Sequence, residues 1–450
     1  MAMPGPQTPA TLHRLTLDVC VARSPELAAH ALLQAIRALE AGDRDGAMRG
    51  YRDALSIRFA HPDSWSNLAA LAIALDDVEG ARRHAARALE LARDHADALV
   101  NLGVACWHAG SRREGAQAMA QALSLAPMRE AAALNYSLML QAAGQLERAR
   151  PVIDEAARQA PGSLRVREAA ASIARLLGDT GAARTHALAA LSAALPILAP
   201  AAAVEDGPEP EDEAAQAKLL ATMTDACDRL QAAGIDHHLV GGVVVGIVRQ
   251  GRPFAGDKDI DFGVDFDADR DAIAAAFADG YTYMRTPRDA DARRWCMGYV
   301  HDATGIGVDL FFKQPVDGVL RINLGWPDDL VFDLPAYRVE PFHWQGRDWP
   351  MPAPLEDYLS ADYGDDWRSS TREAAGHVYD KRWLDSQISS PSLAEESLPR
   401  AVNLVLLRLL TALRQGRWPK ALALCDQILA RERLGEVEAI RQHLLAAGIR

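Results

Sequence analysis

The sequence predicts a multidomain α and α/β chain: an α-solenoid, then a mixed-sheet α/β domain, then a C-terminal helical hairpin. Three observations carry this. A helix-turn-helix pattern recurs every 34 residues in the first half. A strand-period segment rich in aspartate follows a glycine pair near the middle. A helix, a glycine and a second helix stand near the C-terminus.

Residues 1–25 read as an N-terminal extension. The repeat follows in "EAGDRDGAMRGYRDALSI", "ALDDVEGARRHAARALEL", "HAGSRREGAQAMAQALSL", "AAGQLERARPVIDEAARQ" and "LLGDTGAARTHALAALSA". Gly42, Asp76, Gly110, Gly144 and Gly178 stand 34 apart, as do Ala54, Ala88, Ala122, Ala156 and Ala190. Pro62, Pro127, Pro161 and Pro196 recur near the unit ends. Glycine at the turn accepts left-handed backbone angles, and alanine in the second helix lets neighbouring helices approach closely. Helix propensity alone explains helices but not a fixed spacing. On these residues the chain resembles the tetratricopeptide family over residues 26–196. That resemblance implies a concave groove for extended ligands, so a protein partner on the array is expected.

"LPILAPAAAVEDGPEPEDEAA" is rich in proline, alanine and acid, and residues 197–214 read as a linker. The next domain is expected over residues 215–390. It opens with an amphipathic helix, "AQAKLLATMTDACDRLQAAG", in which Leu219, Leu220, Met223, Cys227 and Leu230 fall at helical spacing before Gly234. "IDHHLV" reads as a short strand. His237 and His238 are adjacent, so they point to opposite faces and read as packing or surface residues. Gly241 and Gly242 break the strand, and "VVVGIVRQ" reads as a short helix, with a strand as the rival because of its three valines.

In "KDIDFGVDF", Ile260, Phe262, Val264 and Phe266 alternate with Asp259, Asp261, Gly263 and Asp265, the period of a strand with one buried face. Asp259 and Asp261 therefore share a face, about 6–7 Å apart along the strand. Two carboxylates so placed can share divalent cations. Asp257 lies one step upstream and is expected to join them. "RWCMGYV" and "GIGVDLFFKQ" read as a strand pair. Asp309 stands inside the apolar run Val308-Asp309-Leu310-Phe311-Phe312, where a lone carboxylate is costly unless a partner or metal compensates it. The catalytic and metal-binding candidates are thus Asp259, Asp261 and Asp309, with Asp257 as a further ligand; oxygen donors suit Mg²⁺ or Mn²⁺. Gly241 and Gly242 let backbone N–H groups approach a phosphate, and Arg249 can pair with it bidentately.

Glycines after a strand, a D-x-D strand and an acid on a later strand resemble the nucleotidyltransferase fold of polymerase beta type. The fuller string "GGVVVGIVRQGRPFAGDKDIDFGV", with "VDLFF" and "YLSADYGDDW", is similar to the LicD/fukutin family over roughly residues 215–370. Gly242, Gly246, Arg249, Asp257, Asp259, Asp261 and Asp309 fall on that family's motif. The chain departs from it at Gly256, where the family has tryptophan, and at Lys258, where it has an acid. The resemblance implies a metal-dependent phosphotransferase that takes a CDP-activated alcohol as donor and a glycan hydroxyl as acceptor. Nucleotidyl transfer from a nucleoside triphosphate, and a protein-binding scaffold with an inactive transferase domain, stay open as alternatives.

Asp362, Asp365 and Asp366 in "ADYGDDW" read as helix-end decoration, and Tyr363 and Trp367 as packing. The run Arg288–Arg294 reads as a solvated loop. Over residues 398–447, "AVNLVLLRLLTALRQGRWPKALALCDQILARE" reads as one more helical hairpin.

The net charge of −13 repels a phosphate backbone, so nucleic acid is not an expected partner. The 5 scattered cysteines form no C-x-x-C and fit a reducing compartment. The N-terminus lacks an unbroken apolar core of signal-peptide type, and no segment approaches the roughly 18 apolar residues of a membrane span. A cytoplasmic protein is expected.

Overall fold

A computed structural model describes residues 17–22, 24–26, 29–199, 213–254, 257–284, 294–368, 371–374, 377–380 and 386–449. The described residues divide into two compact units, one ending at Ile173 and a second beginning at Ala174.

Helices follow one another in pairs: α1 (Ala29–Glu40) and α2 (Arg44–Ala54), α3 (Pro62–Ala74) and α4 (Val78–Leu91), α5 (Ala96–His108) and α6 (Arg112–Leu125), α7 (Glu130–Ala142) and α8 (Leu146–Gln159), α9 (Leu164–Leu176) and α10 (Thr180–Ala194). The turn within each pair is the position the 34-residue spacing singles out. Gly42, Gly110, Gly144 and Gly178 take φ of +70° to +82°, and Asp76 takes φ +68° in the one turn without glycine. Aspartates then cap the second helices, Asp43 accepting from the Gly46 N–H, Asp77 from Gly80 and Asp179 from Ala182. The five periodic alanines, Ala54, Ala88, Ala122, Ala156 and Ala190, are all buried.

The first unit holds a segment that the sequence placed outside it. Leu17–Ala22, expected within the N-terminal extension, lies extended against the first helices of the repeats. Its main chain pairs there with Asn67, Asn101 and Asn135. A backbone without its own secondary structure must find partners somewhere, and these side chains supply them.

The second unit is built round a mixed sheet. Its strands are β1 (His237–Val240), β2 (Asp259–Asp265), β3 (Tyr281–Tyr283), β4 (Cys296–His301), β5 (Gly307–Val316), β6 (Val319–Asn323) and β7 (Val331–Pro335). The order is β1-β2-β5-β4-β3, and β6 extends from β5 to β7. Among the described residues of this sheet, only the β2–β5 pair is parallel. The helices α11 (Glu213–Ala232), α12 (Gly241–Gln250) and α13 (Arg270–Ala276) belong to this domain, with a ribbon of β8 (Arg338–Trp344) and β9 (Arg347–Ala353) and then α14 (Leu355–Tyr363). Phe262, Leu310, Phe312, Val244, Leu239 and Trp349 are among its fully buried core side chains. The segment read as helix or strand after the glycines is the helix α12. Residues 200–212, within the expected linker, lie outside the described residues.

The C-terminal region holds three helices rather than a hairpin: α15 (Leu398–Arg414), α16 (Trp418–Arg431) and α17 (Gly435–Ala446). The third buries Val437, Ile440 and Leu444 at helical spacing. The first and third of these helices pack on α10. Asn403 Nδ2 donates to Thr180 O at 2.8 Å, and Arg184 makes a bidentate pair with Glu432 at 2.7 Å on both arms. Expected as the end of a solenoid at residues 26–196, α10 is thus joined by packing to helices more than two hundred residues further on.

Candidate metal centre

β1, α12 and β2 are successive pieces of chain whose turns decide where the acids stand. Gly241 ends β1, takes φ +68° and starts α12, and its N–H donates to Tyr358 Oη at 3.0 Å. An L side chain is strained at that angle. Its Cβ would also overlap Asp261 Oδ2. The glycine therefore makes room for a carboxylate. Gly241→Ala is expected to cost about 1–2 kcal/mol of stability and to weaken Mn²⁺ binding about 10–100-fold. Thermal melts and a Mn²⁺ titration check both; unchanged Mn²⁺ affinity would remove Gly241 from the site.

β2 and β5 run in parallel, with Asp261 opposite Asp309 and Asp259 opposite Gly307. The period of two puts Asp259 and Asp261 on one face, and the parallel register brings Asp309 to the same face. Asp259, Asp261 and Asp309 each offer an oxygen, and these atoms lie within 4.8 Å of one another. Asp259 is exposed at the mouth; Asp261 and Asp309 are half-buried.

The setting of Asp309 differs from the sequence expectation. Its apolar neighbours Val308, Leu310 and Phe312 are fully buried on the core face. Asp309 lies on the other face, so alternation removes it from the apolar run that seemed to enclose it. Gly298 stands opposite it on β4, where a Cβ would come 2.8 Å from Asp309 Oδ1.

Each of the three carboxyls is held above its ordinary range. Burial pushes Asp261 well up, and the negative charges of Asp259, Asp309, Asp257 and Asp362 push it further. Burial, then Asp259, raises Asp309 to about 7. Burial also raises Asp259. Three all-oxygen donors that repel one another fit a hard divalent cation, which would favour the ionised forms together.

The other expected residues fall in different places. Asp257, expected as a fourth ligand, is not in the three-carboxylate group; it stands near Gly242, 3.7 Å from where that residue's Cβ would lie. Gly242 is half-exposed in the first turn of α12 beside the acids. Arg249 is in the last turn of the same helix, about 10 Å along the axis. Its guanidinium carbon lies 4.8 Å from the centre of the Phe254 ring. Lys258 is exposed, and Gly256 and residues 288–293 lie outside the described residues. Arg294 rests on Trp295, at 5.2 Å.

His237 and His238 pack, as expected. His238 is buried and bonds Tyr337 Oη at 2.9 Å, and His237 contacts Cys227 Sγ at 3.1 Å. Trp367 is buried, and Asp365 and Asp366 are exposed. Asp362 is not helix-end decoration. Burial raises its carboxyl to about 7, while bonds from Ser390 and Tyr358 moderate that rise. It thus joins the Gly241 turn through the Tyr358 hydroxyl. Cys296, paired with Phe311 across β4 and β5, also borders the acids: burial, then Asp309 and Asp261, push its thiol well up. Neither residue has a sequence signal, because each reaches the site through tertiary register.

No protein-family model and no curated protein matches the chain. Solved structures of TPR proteins align with its N-terminal helical region. One is a thermophilic TPR protein of Thermus thermophilus, 16% identical over 37% of this chain and 90% of that one, with a TM-score of 0.33. Another is PilW, a type IV pilus biogenesis factor, 20% identical over 38% and 79%, TM-score 0.34. A third is MamA, 19% identical over 35% and 93%, TM-score 0.31. At such overlap, the TPR-like solenoid of this chain rests on its own 34-residue register and turn geometry. Among the described residues, no helix is long and apolar enough to cross a membrane.

Proposed function

We propose that the second unit is a divalent-cation-dependent transferase of nucleotidyltransferase-like, LicD/fukutin-like type. It moves a phosphoryl-alcohol group, of phosphocholine or polyol-phosphate kind, from a CDP-activated donor to a glycan hydroxyl. The carrying observation is the trio Asp259, Asp261 and Asp309, brought within 4.8 Å by two adjacent parallel strands beside a glycine turn.

Asp259, Asp261 and Asp309 would hold Mg²⁺ or Mn²⁺. The cation, when bound, supplies neutralisation of phosphate charge and orientation of the phosphoryl group. The residues of the chain do the rest. Gly241 and Gly242 open α12, whose N-terminal N–H groups and helix dipole favour phosphate. The Gly241 N–H itself is held by Tyr358 Oη, so the turn is assigned to shaping the cradle and the following N–H groups to facing the phosphate. Arg249, a long side chain on the same helix, is assigned to the distal part of the donor. The Tyr358 hydroxyl fixes the Gly241 turn and so the room available to Asp261. The repeat array is assigned to recruiting the acceptor or a partner protein.

The test is a screen of CDP-alcohols and nucleoside triphosphates with Mg²⁺ and with Mn²⁺, followed by product analysis. CMP release is the expected result. Pyrophosphate release would instead mean nucleotidyl transfer by the same carboxylates. Absence of both donor binding and turnover with either cation would mean an inactive domain on a binding scaffold.

A further inference from the structure

The first helices of three successive repeats each carry one fully buried asparagine at the same position: Asn67 on α3, Asn101 on α5 and Asn135 on α7, 34 residues apart. Buried amides need partners. All three find them on Leu17–Ala22. Asn135 Oδ1 accepts from the Asp18 N–H at 2.8 Å, and Nδ2 donates to Asp18 O at 2.7 Å. Asn101 treats Cys20 the same way at 2.8 and 2.9 Å, and Asn67 treats Ala22 at 2.8 and 2.7 Å. Asn101 Nδ2 also donates to Ser66 O at 2.9 Å, which fixes the amide with its oxygen toward the Cys20 N–H.

The register of two against one repeat is what an extended strand requires. Alternate residues of a strand point the same way, so residues 18, 20 and 22 meet successive asparagines. Each amide takes both the N–H and the C=O of one residue, so it reads main chain. Any extended polypeptide can satisfy it unless a proline removes one of the three N–H groups. Selection among peptides falls to the side chains. Asp18 is paired with Arg165. Cys20 is buried beside Asp97 and Arg129, which pair with each other. Ala22 is small. Of the intervening side chains, Leu17 and Val19 pack partly buried against the core and Val21 is 43% exposed.

We propose that Leu17–Ala22 is an internal, exchangeable occupant of a polypeptide groove, and that a protein partner displaces it with an extended segment of like pattern. That pattern is a carboxylate at the first position, a small buried side chain at the third and another small residue at the fifth, with no proline at any of these. The groove selects a peptide main chain and not a glycan, and this holds whether or not the second unit is a transferase. The bonds that hold the segment are the ones a rival peptide would make, so exchange trades like for like, and the chain's own segment sets the threshold a partner must exceed.

The test uses the full chain and the Cys20 thiol as reporter. Burial, then Asp97, pushes this thiol up to about 11, so the docked thiol is protonated and unreactive. The probe is a synthetic peptide of residues 14–24 carrying Cys20→Ser; the control peptide carries proline at positions 18, 20 and 22. Alkylation of Cys20 is followed by mass spectrometry of its own fragment, which separates it from the other four cysteines. Excess probe is expected to speed alkylation at least about 10-fold over the control peptide. Asn101→Ala is expected to speed it similarly with no peptide added. A chain lacking residues 1–22 should fold, bind fluorescent probe, and lose that binding with Asn101→Ala. Three results would overturn the proposal: a Cys20 rate indifferent to saturating probe, a folded deletion variant that does not bind the probe, or a deletion variant that does not fold, which would make the segment a fixed part of the solenoid. Acceleration that rises with protein concentration alongside a dimer in sedimentation would replace the partner with a second copy of this chain.

Discussion

Asp261→Asn is expected to lower turnover by about 10³-fold or more while raising the melting temperature of the metal-free protein at pH 8. The two effects share one cause. Burial, then the charges of Asp259, Asp309, Asp257 and Asp362, holds Asp261 well above the ordinary carboxyl range, so its ionised form is strongly disfavoured. At pH 8 the metal-free fold must either bear that repulsion or bind a proton there at a cost, and an amide of the same shape removes both penalties. In a unit of this size each kcal/mol relieved is worth about 2–4 °C. The same amide is a poor ligand for Mg²⁺, so the site that gains stability loses its chemistry. Asp259→Asn should match the loss of turnover with a smaller gain in stability, because Asp259 is exposed. Full activity of either variant under saturating Mg²⁺ would remove the trio from the mechanism. A fall in metal-free melting temperature would mean that the carboxylate holds the fold through bonds rather than straining it.

The stability of the metal-free protein should also fall as pH rises from about 4 to about 7. A carboxyl whose folded pKa lies above its unfolded value binds its proton more tightly in the native state. Its stabilising contribution is complete below the unfolded pKa near 4 and is lost as pH climbs through the folded value. Asp309 and Asp362, both near 7, each contribute a slope of up to about 1.4 kcal/mol per pH unit across that window. His238 opposes them below its ordinary range, since burial, then Lys313, depresses it and the unfolded chain takes up the proton first. That term is common to the natural chain and to Asp309→Asn, so the difference between their melting curves isolates Asp309. Mn²⁺ with a CDP-alcohol should flatten the natural chain's slope, because a cation favours the ionised trio and stabilises by mass action. Asp309→Ala should lose most of that ligand-induced rise, with little change or a gain in metal-free melting temperature. If Asp309 were a structural carboxylate bound by N–H groups, Asp309→Ala would be destabilised without ligand by about 1–3 kcal/mol, and the rise would survive.

What the sequence made legible was periodic. The 34-residue spacing located every turn of the array, including Asp76, because a left-handed angle leaves a mark at a fixed position. The period of two located Asp259 and Asp261 on one face. Asp309 was legible as an acid in an apolar run. Its surroundings were not, since which face an acid occupies follows from strand register, and Val308 and Leu310 turned out to line the other side. Asp362, Cys296 and Gly298 lay beyond reach for the same reason. Asn67, Asn101 and Asn135 show that even a visible period can stay mute. They recur as regularly as the glycines, but their meaning depends on Leu17–Ala22, which sits 45 to 117 residues away in the chain. The third C-terminal helix was readable from Val437, Ile440 and Leu444, but the expectation of a hairpin over residues 398–447 counted two helices where there are three.

The packing of α10 on the C-terminal helices has a consequence for synthesis. Thr180 emerges from the ribosome 223 residues before Asn403, the side chain that takes up its carbonyl. At about 5–20 residues per second that interval is on the order of 10–45 s. Throughout it, the face of α10 destined for Asn403 and its neighbours stands without its cover, while the sheet domain is still being made. The nascent chain therefore offers chaperones and proteases a timed window. A stop codon anywhere before the last three helices would leave that window permanently open.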